Sequence, residues 1–384
     1  MNLRRSGNLA TLPLLTKRLS SEPQSLALTE ESFHRMIALE RKRTERSRNP
    51  FLLMLLETGH SLKSGDDETL LGNALSALSD SIRETDVTGW YKGSSVVGVM
   101  FTQLASEDRS AIANKMLARV SATLRTALGA EQFSQVSISF HLFPEDWDHQ
   151  ASDRPSNPAL YPDLLRRHQA RKLPSAVKRM MDVVGSALAL VVLAPLFLVI
   201  AVAITMSSKG PVFFRQQRIG QYGTPFVFLK FRSMYANNDA SVHKKYIRDL
   251  IRGQAERKPS NGNGQGVYKL TSDARITPVG SVLRRTSLDE LPQFFNVLIG
   301  QMSLVGPRPP IAYEVETYDL WHKRRLLEAK PGITGLWQVN GRSRVNFDDM
   351  VRLDLNYART WSPWLDLKIL IRTPRAVVLG EGAY

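Results

Sequence analysis

Between Val183 and Met206 the chain runs for 24 residues without a charged side chain. As one continuous helix at about 1.5 Å per residue, this stretch reaches roughly 36 Å, enough to cross the hydrocarbon core of a bilayer. A helix that is apolar on every face needs either a large protein interior or lipid around it, so the segment is expected in a membrane. Pro195 stands close to its middle, where a missing backbone N–H kinks a helix. Two arrangements stay open: a kinked spanning helix, and a re-entrant helix that returns to the face it entered, with both ends in the cytoplasm. Lys178 and Arg179 precede the segment and Lys209 follows it, so the distribution of cations sets no strong orientation. Arg4 and Arg5 are not followed by an apolar core and cleavage site; no signal peptide is expected, and the chain should start in the cytoplasm.

The remaining residues suffice for two modules, since the chain has 384 in all. Hydrophobic residues at 43% and charged residues at 23% exclude a fibrous or disordered chain. The absence of cysteine excludes disulfides, thiolate metal sites, iron–sulfur clusters and a cysteine nucleophile. Residues 207–384 hold 27 Lys/Arg against 15 Asp/Glu, whereas residues 1–206 hold 24 against 21, so most of the +15 net charge lies after the apolar segment. Cations beside a membrane segment, with no recognition motif, point to acidic lipid or phosphate-rich substrates and not to nucleic acid.

Five regions follow: a tail (1–28), a soluble α+β domain (29–148), a linker with Pro155, Pro158 and Pro162 (149–174), the membrane helix (175–208) and a mixed α/β catalytic domain (209–384). In the second region, helices are expected over 33–46, 69–83 and 111–128, and strands over 51–56, 96–101 and 136–143. This order suits a ferredoxin-like α/β sandwich with helices on one face.

In the last region, HExxH, P-loop and GxGxxG motifs are missing, and the glycine-rich run 261–266 reads as a flexible loop. Residues 212–234 read as a hairpin turning at Gly220 and Gly223. Strand alternation puts Lys230 on the face of Phe226 and Phe228, either as a solvated strand-end lysine or as a phosphate contact. Thr277-Pro278 is a helix start, with Arg284 and Arg285 at the far end. Ser287 and Glu290 fit a capping box; alternatively a helix begins at Asp289, with Pro292 in its first turn. Either way Asp289 and Glu290 sit side by side at a helix N-terminus, where Arg284, Arg285 and Arg308 could join them around a phosphate and a metal. Gly306-Pro307-Arg308-Pro309-Pro310 is a stiff turn fixing one guanidinium, for phosphate or merely in solvent. Residues 330–335 and Gly341-Arg342-Ser343 are further rigid basic turns. From Trp361 to Arg375 aromatics, aliphatics and cations interleave, suiting an interfacial helix at headgroup level or an ordinary amphipathic core helix.

Several of these segments, in order, resemble the bacterial sugar transferase family, the monotopic polyprenyl-phosphate hexose-1-phosphate transferases (phosphoglycosyl transferases). The resemblance runs from Lys178 to Tyr384 and is carried by KRMMD (178–182), RQQRIG (215–220), KFRSM (230–234), SDARIT (272–277), LDELPQ (288–293), SLVGPRP (303–309) and KPGITG (330–335). It implies transfer of sugar 1-phosphate from a UDP-sugar, with UDP-glucose or UDP-galactose favoured, to polyprenyl (undecaprenyl) phosphate. The products would be polyprenyl-diphosphate sugar and UMP, opening exopolysaccharide, capsule or O-antigen synthesis. By the same likeness Asp289 is the nucleophile and Glu290 holds Mg²⁺, while Lys230, Arg232, Asp273, Arg275, Arg285, Arg308 and Arg342 contact phosphate or nucleotide. The membrane helix would be re-entrant, broken at Pro195, with the catalytic domain on the cytoplasmic face of the bacterial inner membrane. The family's proline often follows a serine; here Ala194 precedes it, which keeps the break and removes a hydroxyl.

The run 40–50 ahead of a strand, and 82–87 ahead of Trp90-Tyr91, resembles diguanylate cyclase (GGDEF-type) domains. Lys92-Gly93-Ser94-Ser95-Val96 stands where that family's acidic hairpin would be, so the likeness implies a catalytically dead, regulatory or dimerising version, the latter giving a homodimer. A different class of function is a membrane-tethered regulatory scaffold with an inactive transferase half; the intact Asp289-Glu290 pair argues against it.

Overall fold

The computed structural model describes residues 27–58, 64–79, 82–102, 104, 109–144, 158–164, 166, 172–235, 241–255, 275–340 and 345–378, arranged as a mixed α+β fold. Helix α1 (Glu30–Ser47) begins where the Thr29 hydroxyl accepts from Ser32 N at 3.4 Å, with Glu30 and Glu31 favouring its positive end. Strand β1 (Phe51–Thr58), α2 (Ser64–Ser79), β2 (Val87–Lys92), β3 (Val96–Phe101), α3 (Arg109–Ser134) and β4 (Val136–Phe143) follow. The strands form one antiparallel sheet in the order β2-β3-β1-β4.

Both faces of this sheet are covered, against the expectation of helices on one face only, because α1 lies across the sheet from α2 and α3. Leu52, Met54 and Leu56 of β1 pack with Leu71, Leu78 and Leu124 of α2 and α3, while Leu53 and Leu55 pack with Phe33 and Ile37 of α1. Burial on two sides is why β1 is apolar from Phe51 to Leu56 instead of alternating. Gly89 and Gly98 let the Phe33 ring lie against the sheet, since an added Cβ would stand 2.6 Å and 2.3 Å from it. Strand β2 is not among the expected strands; its half-exposed edge position and central Gly89 remove the apolar alternation that marks a strand. Part of the stretch expected as linker also packs, because Leu160, Tyr161 and Leu164 are buried in the α1-side cluster.

The apolar segment is two helices, α4 (Lys172–Val192) and α5 (Ala194–Ser207), bent by 60° at Leu193. The expected break thus falls two residues before Pro195, as both a kinked spanning helix and a re-entrant one require, and no single described helix is long and apolar enough to cross a membrane. Pro195 falls in the first turn of α5, where a backbone N–H has no intrahelical partner to lose. Val184, Leu188, Val191, Leu198, Val199 and Met206 are all exposed.

The polar start of α4 is fastened to the C-terminal half. Lys178 Nζ donates to Asp366 (2.6 Å) and to Val305 O (3.0 Å), and Arg179 donates to Val297 O (2.7 Å) and Leu298 O (2.8 Å). Buried Asp182 accepts from Ser303 Oγ and Leu304 N, each at 2.9 Å. The hairpin is β5 (Phe213–Ile219) and β6 (Pro225–Phe231), followed by α6 (Ser241–Ile251), α7 (Pro278–Arg285), a 3₁₀ turn (Leu288–Glu290) and α8 (Gln293–Leu298). Strand β7 (Ser303–Val305) pairs in parallel with β8 (Gly332–Thr334) across α9 (Ala312–Thr317) and α10 (Leu320–Glu328). The chain ends in α11 (Leu336–Asn340), α12 (Phe347–Thr360) and α13 (Pro363–Val378). A Cβ on Gly306 would lie 2.2 Å from Lys330 O, and one on Gly332 2.1 Å from Gly306 N, so the two glycine turns exist to let their backbones touch.

Candidate active site

Asp289 and Glu290 occupy the 3₁₀ turn between α7 and α8. The capping box does not form: Ser287 makes no side-chain cap, and the Glu290 carboxylate is taken by Lys230. Ser287 instead adopts a left-handed conformation (φ 56), a backbone state that costs a non-glycine residue about 1–3 kcal/mol and is concentrated at functional sites. Thr277 does cap α7, accepting from Gly280 N at 2.9 Å.

Lys230, from the inward face of β6, places Nζ 2.7 Å from Glu290 Oε1 and 3.6 Å from Asp289 Oδ2. Its side chain is only 16% exposed and lies over the Phe228 ring, which excludes the solvated-lysine alternative. Arg308 Nη1 stands 3.8 Å from Glu290 Oε1, with its side chain 43% exposed, so one edge of the guanidinium faces outward. Four donors fix the turn that carries it: Arg218 Nη1 to Pro309 O (2.6 Å), Ile219 N to Pro310 O (2.9 Å), Arg325 Nη2 to Arg308 O (3.1 Å) and, from β8, Gly332 N to Pro307 O (2.9 Å). Arg325 is itself buried against Asp354 at 2.6 Å.

Electrostatics separate the two carboxylates. Burial pushes Asp289 above its usual value, and Lys230 only partly opposes this. Burial also penalises charge on Glu290, yet Lys230 and Arg308 outweigh it and hold the group down at about 2. Burial, followed by repulsion from Arg308, lowers the Arg218 guanidinium to about 10. A cationic wall thus faces an acidic pair, one member firmly ionised and the other a more basic and better nucleophile.

The other expected site residues divide. Arg232 is not at the carboxylates; it is buried and donates to Ser208 O (2.6 Å), Ser208 Oγ (3.0 Å) and Ile204 O (3.3 Å), capping the end of α5. Arg285 is exposed at the end of α7, and it is Arg284 that, after Lys230, partly opposes the rise of Asp289 caused by burial. Arg275 lies beyond the far end of the hairpin, where its carbonyl accepts from Tyr235 N at 2.9 Å. Asp273 and Arg342 lie outside the described residues. Arg218, Arg325 and Asp354 were missed as supports of the site. Only Asp354 carries a local signal, an acid between two leucines in Leu353-Asp354-Leu355; Arg218 and Arg325 stand in runs with other polar and charged residues that give no sign of their burial.

Among the described residues no three His, Asp or Glu side chains gather into a metal cage. Two adjacent hard-oxygen carboxylates nevertheless fit Mg²⁺, which typically keeps several waters and binds through one or two carboxylates together with substrate phosphates.

The bacterial sugar transferase family model matches residues 173–380. Similar proteins include galactosyl transferase CpsE of Streptococcus agalactiae, 44% identical over 54% of this chain and 43% of that protein. The undecaprenyl-phosphate galactose phosphotransferase of Salmonella typhimurium is 40% identical over 57% of this chain and 44% of its own length. A UDP-glucose:undecaprenyl-phosphate glucose-1-phosphate transferase of Klebsiella pneumoniae is 42% identical over 54% and 41%. The chain therefore spans less than half the length of these relatives. A DGC protein of known structure from Thermotoga maritima aligns at 17% identity over 33% of this chain and 88% of that one, with a TM-score of 0.27.

Proposed function

The chain belongs to the bacterial sugar transferase family, and on that footing we propose that it transfers sugar 1-phosphate from a UDP-sugar to polyprenyl phosphate at the Asp289-Glu290 pair. The observation that carries this reading is Lys230 Nζ at 2.7 Å from Glu290 and 3.6 Å from Asp289, which gathers two carboxylates about one largely buried lysine. UDP-galactose and UDP-glucose are the favoured donors, since the relatives' names carry galactose and glucose.

In the first step an Asp289 oxygen attacks the phosphorus bearing the sugar. The bond from that phosphorus to the bridging oxygen breaks, UMP leaves with the bond's electron pair, and an aspartyl phosphosugar remains. In the second step a phosphate oxygen of the lipid attacks the same phosphorus, giving polyprenyl-diphosphate sugar and the free carboxylate. Lys230 neutralises the pair while the anionic donor enters, and the outward edge of Arg308 suits bidentate contact with a phosphate. Glu290, ionised throughout, would hold Mg²⁺, which when bound offsets pyrophosphate charge.

The 60° bend, the exposed apolar side chains of α4 and α5, and the fastening of α4 to the C-terminal half support a re-entrant pair inserted from the cytoplasmic face of the bacterial inner membrane. On α13, Trp364 (73% exposed), Leu367 and Ile371 face outward beside Lys368 and Arg372, as suits a helix at headgroup level. The order β2-β3-β1-β4 with α2 and α3 on one face supports a ferredoxin-like sandwich for the N-terminal domain (29–148), ahead of a transferase domain (209–384).

UMP release by the purified chain with undecaprenyl phosphate and Mg²⁺, across UDP-glucose, UDP-galactose and their N-acetylated forms, tests the reaction. Turnover of one donor that disappears in Asp289→Asn is expected. Full activity in that variant would overturn the role of Asp289, and no turnover of any donor would favour the scaffold alternative.

A further inference from the structure

The N-terminal module meets the transferase half along one side of α10. Arg48, at the end of α1, pairs with Asp319 at the start of α10 at 3.3 Å. Glu45 lies 3.6 Å from Arg324, which also holds Glu328 at 2.8 Å. Leu327 is buried in the same cluster as Phe33 and Ile37 of α1. The next side chain after Arg324 turns to another side of the helix: Arg325 is buried against Asp354 and donates to the carbonyl of Arg308.

A second path runs through the β5–β6 hairpin. Tyr222, held at its tip in a left-handed conformation (φ 59), packs against that same cluster, which joins Leu327 of α10 to Phe33 and Ile37 of α1. The strand leading to the tip supplies Arg218 and Ile219, whose donors hold Pro309 O and Pro310 O. Both elements are therefore among those that hold the Arg308 turn, together with β8 through Gly332 N and Pro307 O.

We propose that the N-terminal module controls transfer in cis: its seat on α10 and on the hairpin tip fixes the Pro307–Pro310 turn, and with it the distance between Arg308 and Glu290. Lifting α1 from α10 frees Arg325 and Tyr222 together, so Arg308 loses its position while Asp289, Glu290 and Lys230 keep theirs. Arg324 and Arg325 are positioning residues in this scheme. Its catalytic consequence rests on the transferase reading, but its mechanical part does not.

The test uses the full chain with Glu45→Gln, Arg324→Gln and the double variant, and Arg35→Ala in an exposed α1 pair as control. Hydrogen exchange over residues 303–311 should quicken, and UMP release should fall mainly in kcat, each on the order of fivefold in the single variants, the low end of typical allosteric coupling. The double variant should be no worse than Arg324→Gln, because both singles remove the same Glu45–Arg324 pair and only Arg324→Gln also releases Glu328, and the control should match the parent. Faster exchange in α1 with residues 303–311 unchanged would overturn the proposal, as would additive losses. If the parent released no UMP, the transferase reading would fail, while exchange over 303–311 would still decide whether the module and the turn are coupled.

Discussion

The Asp289 and Glu290 carboxylates share one lysine yet are pushed in opposite directions, because Glu290 receives the direct hydrogen bond of Lys230 and the nearby Arg308, while Asp289 sits deeper with Lys230 at the longer distance. A nucleophile must be ionised, so activity should fall as pH drops through the raised value of Asp289, above the ordinary 3.8, while Glu290 at about 2 stays charged. Lys230→Met removes the strongest opposing charge from both groups. The acid limb of the kcat/KM profile should then move to higher pH, and the rate should fall about 10²–10³-fold, as when a preorganised charge-stabilising donor is lost. A limb that stays put would sever Lys230 from the titration. The residue types of this pair were legible in the sequence, because adjacent acids before a proline are unusual and Lys230 breaks an apolar strand face. Their partners were not: the capping-box spacing of Ser287 and Glu290 is satisfied in sequence and refused in space, since Lys230 offers Glu290 a full charge where the helix end offers one N–H.

At the scale of the element, Pro195 announced a break and the structure puts it at Leu193. What the local pattern could not carry is the joint between α4 and the C-terminal half, because Lys178, Arg179 and Asp182 read as flanking charges until residues more than a hundred positions away come to meet them. Asp182→Ala would orphan the buried Ser303 hydroxyl and Leu304 N–H, each an unsatisfied group worth about 1–3 kcal/mol. A clear drop in the midpoint of thermal unfolding is expected, and an unchanged midpoint would show that water replaces the carboxylate. Pro195→Ala restores the N–H that lets α4 and α5 join as one straight helix. The chain has no cysteine, so single cysteines at Leu173 and at Lys209 report sidedness directly. With Pro195 present, a membrane-impermeant maleimide should reach both from one face; in the alanine variant the second site should become protected. Opposite-face labelling of the parent would reject the re-entrant arrangement.

For the whole molecule, the chain's chemistry is arranged around a surface of two characters. The exposed apolar side chains of α4 and α5 and the outward stripe Trp364, Leu367 and Ile371 belong to elements that touch one another through Lys178 and Asp366, and Lys368, Arg372 and Arg375 stand exposed along α13. The sequence left α13 open between a core helix and an interfacial one. It is both, for Asp366 and Ile369 are buried inward while Trp364 and Ile371 point out, a division that 3.6-residue periodicity allows but cannot assign to water or lipid. If the α4–α5 pair enters the membrane, α13 lies at its surface and Trp364 reaches headgroup depth, where the amphipathic indole is favoured. Tryptophan fluorescence of the chain in vesicles should then be quenched more by lipids brominated near the headgroup end of the acyl chain than by those brominated near its tip. Trp364→Phe should remove most of that difference, whereas Trp90→Phe, in the sheet of the N-terminal module, should leave it intact. A depth profile indifferent to Trp364 would mean that α13 faces water and that only the bent pair carries the molecule on the membrane.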